Sequence, residues 1–443
     1  MLVIGVAVWL ALAATVLATW PRPNGGRRGL LLLALAFALL QELLFGTVPD
    51  RAFVTFRYAE NIANGHGAVF NVGERVEGYS NFTWLVLITF PKALFGANVV
   101  TSALVLSVLC VLGCVLLAFR FGPLAGVLTA GVSGLAAAGQ TGTETALFVL
   151  LVLAVIRAVG TGHPIAAGVF AALALMTRPD GVAVAFAAGL WLVADVIRHR
   201  ANWWRPTAYA LGLVMIAAPW LTWRATYYSQ PLARWPTAPL SAPSYGFLLA
   251  TLAALLVNAV VHRRRRVPSP VPRRGSRLWA QLGALALCGV SLLLAPGYQR
   301  VVHDSRTRLG QTAEIGSWLA ARVPPESLVD TGGAQALAYV LGDRFRVLDE
   351  RADPDVRNAR QAGYANVADY RRPAVAVADA RYLPRQRCDI APPNTGSYRV
   401  ATFRRAGGNE WVTVYSRGDE AAELIHRLAT DSPLVYVPCP GGM

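Results

Sequence analysis

The chain has 443 residues, 55% of them hydrophobic and only 15% charged, with a mean hydropathy of +0.43. An ordinary soluble protein carries roughly a quarter of its residues as charges, so a wholly soluble globular chain is excluded and the reading is a polytopic membrane protein with a soluble tail. The net charge of +16 does not imply nucleic acid, because the arginines lie between apolar runs rather than on one soluble face, as the positive-inside rule requires.

Residues 2–20 are apolar and end at Trp20-Pro21. A signal peptide is the rival reading; it is disfavoured because no basic residue precedes the run and no small-x-small site leads into a soluble chain. RPNGGRR (22–28) is basic and therefore cytoplasmic, and residues 29–46 cross outward, so Asp50 emerges on the outer side. Residues 51–64 predict a helix along the membrane surface, with Phe53, Phe56, Ala59 and Ala63 at helical spacing and Asn64-Gly65 as the stop. VFNVGERVEGYSN then reads as a compact loop with glycines at its bends. Residues 82–95 are apolar but broken by Pro91-Lys92, and are read as a short interfacial or re-entrant piece.

Further spans are expected at 98–119, 123–138, 146–158, 164–176, 182–195, 207–221, 245–261 and 278–295, for about ten in all. The strongly basic loops 197–206 and 262–277 then share one side. The outer loop 47–97 and the loops 139–145, 177–181 and 223–239, mixed in acid, arginine and aromatic residues, share the other. Beyond 295 the apolar runs shorten to strand length: SLVDTGG, FRVLDE, AVAVADARY, YRVATFRR and EWVTVYS, with helical patterns in TAEIGSWLAARV and DEAAELIHRL. That alternation predicts a small α/β domain over 296–443, outside the cell, following a helical bundle over 1–295. Cys110, Cys114 and Cys288 lie in apolar runs as small core residues. Cys388 and Cys439 are able to pair if the tail is outside, though sequence does not establish it. No internal repeat, Walker loop or zinc spacing occurs in the tail, and no residues are assigned to a metal.

Ionisable groups beside a membrane span are retained where they line a site or face water, and residues 49–84 carry many. Asp50 stands where a helix N-cap is expected. An ionised carboxylate there can also take a proton from a reacting hydroxyl. Arg57, about two turns later, is either paired with Glu60 or Asn61 or a fork for phosphate. Glu74, Arg75 and Glu77 read as a local ion pair on a solvated loop or as substrate groups, and His66 as a turn residue. Glu144 in TGTET is a helix cap or the partner of a loop arginine. Arg178 and Asp180 flank Pro179 as a self-neutralising pair, or Arg178 meets an anionic head group. Arg224, Tyr227, Tyr228 and Arg234 are an interface belt or substrate contacts.

PDRAFVTFRYAENIANGHGAVFNVGERVEGYSNFTW resembles the first outer loop of GT-C-type membrane glycosyltransferases, and is similar to the actinobacterial arabinofuranosyltransferase-like and mannosyltransferase-like branch. TGTETALF, MTRPDG, WRATYYSQPL and GSWLAARVPPESLVDTGGAQALAYVL resemble later markers of that family. The resemblance implies transfer of a sugar (arabinofuranose, mannose or similar) from a polyprenyl-phosphate donor to an envelope glycan or glycolipid acceptor outside the plasma membrane. It implies Asp50 as general base. It also implies substrate contacts from Arg57, Arg75, Glu77, Tyr79, Glu144, Arg178, Asp180, Arg224 and Tyr228. Membrane lipid is an expected partner, nucleic acid is not, and a divalent metal is left open. Two positions depart from the pattern: Arg51 stands at the second place of the family's acidic pair, and PLARWPTAP replaces its usual later loop. The alternatives are a lipid-linked sugar transporter or flippase, and a catalytically inactive GT-C-like scaffold.

Overall fold

The computed structural model describes residues 2–19, 27–228, 251, 253, 274–348, 355–363, 370–388, 398–417 and 420–439. The helices begin with α1 (Leu2–Thr19), α2 (Arg27–Phe45), α3 (Ala52–Ala63), α4 (Phe82–Phe95), α5 (Val99–Phe121) and α6 (Pro123–Ala130). They continue with α7 (Ser133–Gly139), α8 (Thr145–Thr161), α9 (Pro164–Thr177), α10 (Gly181–Ile197), α11 (Trp204–Tyr227) and the long α12 (Arg274–Arg322). Then come β1 (Leu328–Asp330), α13 (Gln335–Leu341), β2 (Arg346–Leu348), α14 (Val356–Gln361), β3 (Val375–Val377), β4 (Tyr398–Arg405), β5 (Trp411–Arg417), α15 (Ala421–Ala429) and β6 (Leu434–Val437). Contacts divide the chain into two units: residues 1–48 with 80–302, and residues 49–79 with 303–443. The expected outer loop 47–97 is therefore shared out, its first part folding with the tail, and the expected boundary at 295 falls inside α12.

The first unit is helical. Among the described residues α2 and α5 are long and apolar enough to cross a membrane, and α12 supplies a third span if its bent halves are taken together. The apolar helices α1, α4, α8, α9 and α10 are shorter. About ten spans were expected; among the described residues two or three meet the length that a bilayer demands, since α8, α9 and α10 are single helices of 17, 14 and 17 residues and one further run is divided. The expected span 123–138 is two short helices, with α6 ending at Gly131 and α7 starting at Ser133. The opposite correction applies to 82–95. It is one helix that carries Pro91 inside it and stops at left-handed Gly96 (φ 65°). Arg234 and most of the expected span 245–261 and of the basic loop 262–277 lie outside the described residues.

Caps and close approaches set this unit's packing. Asn98 starts α5 by accepting the Thr101 N–H at 3.0 Å. Gly168 of α9 and Gly212 of α11 let two backbones touch: a Cβ at Gly168 would lie 2.1 Å from the Tyr209 carbonyl oxygen, and one at Gly212 2.3 Å from that of Ile165. Small residues at helix contacts are how membrane helices approach closely. Leu12, Phe37, Val115, Val127 and Cys288 join α1, α2, α5, α6 and α12 in one buried cluster.

The second unit holds a six-stranded sheet in the order β2-β1-β3-β5-β4-β6. β2, β1 and β3 run parallel, and β5, β4 and β6 add antiparallel pairs. Every residue of β5 except the last is buried, as a central strand demands. Cys388 and Cys439 form a disulfide. The second unit combines this sheet with helices, and it includes a sixth strand that the sequence reading did not list and the segment 49–79.

Candidate functional site

In the second unit, α3 packs most of its residues against protein. Phe53 and Phe56 pack on Tyr339 of α13 with ring centroids 5.5 and 6.3 Å away. α3 starts at Arg51, which makes no side-chain cap bond. Asp50 caps a different helix. Its Oδ2 accepts the Gln335 N–H and its Oδ1 the Ala336 N–H, each at 2.9 Å. The cap residue of α13 is Ala334, which has no oxygen to offer, so a carboxylate remote in sequence fills the role. Asp50 is nevertheless exposed, and each oxygen keeps a lone pair for another partner.

Arg57 is 2% exposed. Nε donates to Phe70 O at 2.8 Å, Nη2 to Phe345 O at 2.9 Å and to Asn71 Oδ1 at 3.4 Å, and Nη1 to Ala338 O. Burial brings the guanidinium down to about 10, against the opposing charges of Asp343 and Tyr58, so it stays cationic at neutral pH. Its donors are committed to carbonyls of the same unit. The expected pairing with Glu60 gives way to a bond from the Tyr339 hydroxyl to Glu60 at 2.9 Å. That carboxylate and, above all, burial push the Tyr339 phenol up.

The GERVEG loop is tied down in the same way. Asn71 exchanges two 2.9 Å bonds with the backbone of Val347 on the edge strand β2, satisfying groups that an edge leaves open. Glu74 accepts from Arg346 at 2.6 Å and Arg371 at 3.2 Å. His66 meets Asp343 at 3.2 Å. The Tyr58 hydroxyl donates to Val76 O at 2.7 Å and accepts Gly78 N–H at 2.8 Å, and its ring packs edge-on to Tyr79 at 4.8 Å. Glu77 and Tyr79 are buried, whereas Arg75 is exposed.

The first unit brings two of the singled-out turns together. Arg178, at the end of α9, reaches Asp180 at 3.0 Å and Glu144, before α8, at 3.6 Å, while its guanidinium lies 5.6 Å from the Phe148 centroid. Asn81 donates to Glu144 at 3.0 Å, and Trp84 Nε1 to Gly142 O at 2.9 Å. The first turn of α4 thus holds the TGTET turn in place. Of the two structural roles weighed for Glu144, the arginine partner is the one present; it makes no cap bond. Arg224 is buried with its guanidinium 5.4 Å from the Trp220 centroid. Tyr228 is buried against Tyr227 and Trp223 at 4.9 and 5.9 Å.

Sequence reasoning passed over Asn71, Asn81 and Glu42. Glu42 stands alone as an acid in the apolar run of α2, which was the available signal. It is fully buried, and neither carboxylate oxygen has a hydrogen-bond partner. Gly139 of α7 makes room for it: a Cβ there would lie 2.7 Å from its carboxyl carbon. Among the described residues no three His, Cys, Asp or Glu side chains gather as a metal set.

No protein-family model and no curated protein sequence matches the chain. Solved structures do. ArnT from Cupriavidus metallidurans bound to undecaprenyl phosphate superposes with a TM-score of 0.55 at 14% identity, covering 90% of this chain and 99% of that one. The chain shares the ArnT fold. The same protein in the apo state gives a TM-score of 0.54 at 15% identity over 89% and 99% of the two chains. At such identity the likeness describes the architecture alone.

Proposed function

We propose that the chain is a membrane glycosyltransferase that moves a sugar from a polyprenyl-phosphate carrier to a hydroxyl on an extracytoplasmic envelope glycan or glycolipid. The GT-C-like fold over nine-tenths of the chain supports this, since one matched structure has undecaprenyl phosphate bound. The disulfide fits a tail in an oxidising, extracytoplasmic compartment. In the reaction the acceptor oxygen attacks the anomeric carbon, the carbon–oxygen bond to phosphate breaks, and the phosphate departs with the electron pair. Asp50, exposed at the start of the segment, takes the acceptor's proton. Charge grows on the leaving phosphate, and a cation there stabilises the transition state. Arg75 is the first choice because it is exposed, and Arg178 is the choice from the helical unit. Arabinofuranose and mannose are the sugars to test first.

Membranes carrying wild type or Asp50→Asn, given radiolabelled polyprenyl-phosphate arabinofuranose or mannose, test the assignment. The variant is expected to lose about a hundredfold or more of the transfer rate. Equal transfer by both proteins removes Asp50 as the base, and no transfer by wild type favours the inactive scaffold. One observation favours a second reading. The buried carboxyl of Glu42 is the kind of intramembrane group that transporters use, and movement of labelled carrier across vesicles without transfer would establish that reading instead.

A further inference from the structure

We infer that the backbone N–H groups of Gln335 and Ala336 are the positioning device for the proposed base, so that the tail aims Asp50 as well as packing beside it. The inference rests on the glycosyltransferase reading for its catalytic part and on geometry for the rest. The two N–H groups approach different oxygens, Gln335 at Oδ2 and Ala336 at Oδ1. A two-point grip fixes both the place and the rotation of a carboxylate, whereas one bond leaves it free to turn. The grip is itself held. Tyr339, one turn along α13, bonds Glu60 of α3 and packs on Phe53 and Phe56. Arg57 ties α3 to Ala338 O and to Phe345 O. α3 and α13 therefore form a braced pair, with Asp50 where the two helix starts meet. Both donors come from the backbone, so they hold the carboxylate without competing for the proton it accepts. Positioning of this kind acts on the transition state more than on substrate binding.

The structure allows a substitution that removes one donor and little else. Gln335 is the first residue of α13, where an N–H has no acceptor within the helix and proline is well tolerated. Ala334 before it is extended (φ −77°, ψ 102°), the conformation that a residue preceding proline prefers. Gln335→Pro deletes the bond to Oδ2, and Gln335→Ala keeps it while losing the side chain. In membranes supplied with the two labelled polyprenyl-phosphate sugars, Gln335→Pro is expected to lower kcat about tenfold with KM unchanged. Gln335→Ala is expected to match wild type. Wild-type kcat in Gln335→Pro overturns the inference, and so does an equal loss in Gln335→Ala.

A second measurement does not depend on activity or on the proline variant folding. In the full-length protein in detergent, amide hydrogen exchange at Gln335 and Ala336 is expected to quicken at least tenfold in Asp50→Ala, with β5 amides unchanged; unaltered exchange refutes the grip. If wild type transfers neither sugar while exchange responds, the reaction reading has failed and the tail's hold on Asp50 stands. If Asp50→Asn is inactive while Gln335→Pro is not, the base stands and its positioning by the tail falls.

Discussion

Replacing Arg57 separates two roles that the sequence alone leaves together. As a phosphate fork it would contribute to binding; as the structure has it, it pins α3 to α13 and to the chain before β2. Truncation to methionine removes donors from three carbonyls. Phe70 O keeps a bond from Asn61 Nδ2 at 3.0 Å, so the loss falls mainly on Ala338 O and Phe345 O. A buried group left without its partner costs about 1–3 kcal/mol, and two such losses give about 3–5 kcal/mol once some relaxation is allowed. Arg57→Lys keeps the charge, but one ammonium cannot span the same acceptors, so about 2–3 kcal/mol is expected. Global unfolding of a two-unit membrane chain is not two-state. The quantity to measure is the local opening free energy of α3, α13 and β2 amides by hydrogen exchange in detergent. If Arg57→Lys leaves that opening unchanged but weakens binding of undecaprenyl phosphate, the pin is wrong and the fork is right.

Glu42→Met removes a buried carboxyl whose oxygens have no partner, so thermal inactivation of the purified protein should move up by the equivalent of about 1–3 kcal/mol; Gly139→Ala should be destabilising in wild type and nearly neutral in Glu42→Ala. Cys388→Ser opens a loop of 51 residues and should cost the tail about 2–4 kcal/mol, read as faster proteolysis of the tail, with reductant producing the same change in wild type. The hydrogen bond from Arg371, then that from Asn358, holds the Asp355 carboxyl below its ordinary 3.8 against the effect of burial. A depressed carboxylate contributes stability that is full above the ordinary value and fades as pH falls through the lower folded one, so Asp355→Asn should flatten the acid limb of tail stability.

The tail's strands were legible because short runs of β-branched and aromatic residues, such as EWVTVYS, have no other stable use. β6 escaped because Leu434–Val437 is enclosed between Pro433 and Pro438, and proline beside a run argues against a strand. Helix counting failed for the reverse reason. Apolar content reports burial or lipid without saying which, and a glycine at 131 turns one expected span into two short helices. The turns TGTET and TRPDG were legible as charge carriers, and one of the partners proposed for Glu144, a loop arginine, is what Arg178 supplies. The loop 49–79 was misread in detail because its partners are far along the chain. Arg57 bonds residues 281 and 288 positions away, Asn71 one at 276, and Glu74 one at 297. No local pattern encodes such a distance.

That distance changes what the charges of the loop mean. A polar segment beside a membrane span invites the view that each ionisable group serves chemistry. Yet Arg57, Glu60, His66 and Glu74 each meet a residue of the tail, and Tyr339 and Asn71 fill the gaps between them. These groups are explained by the need to fasten a short segment to a small sheet whose edge strand would otherwise stand open. Fastening of this kind is sequence-specific, so the regularity of FRYA, VFN and GERVEG has a structural source independent of any substrate. What the fastening leaves exposed is more informative than what it uses. Asp50 is gripped yet exposed, and Arg75 is exposed beside the fastened Glu74. A proposed base and an exposed cation on one braced segment are a smaller set than the sequence offered. It is on that set that substitution should separate chemistry from folding: Arg75→Ala removes an exposed guanidinium, and a loss of transfer with hydrogen exchange of α3 and α13 unchanged would mark a loss of function.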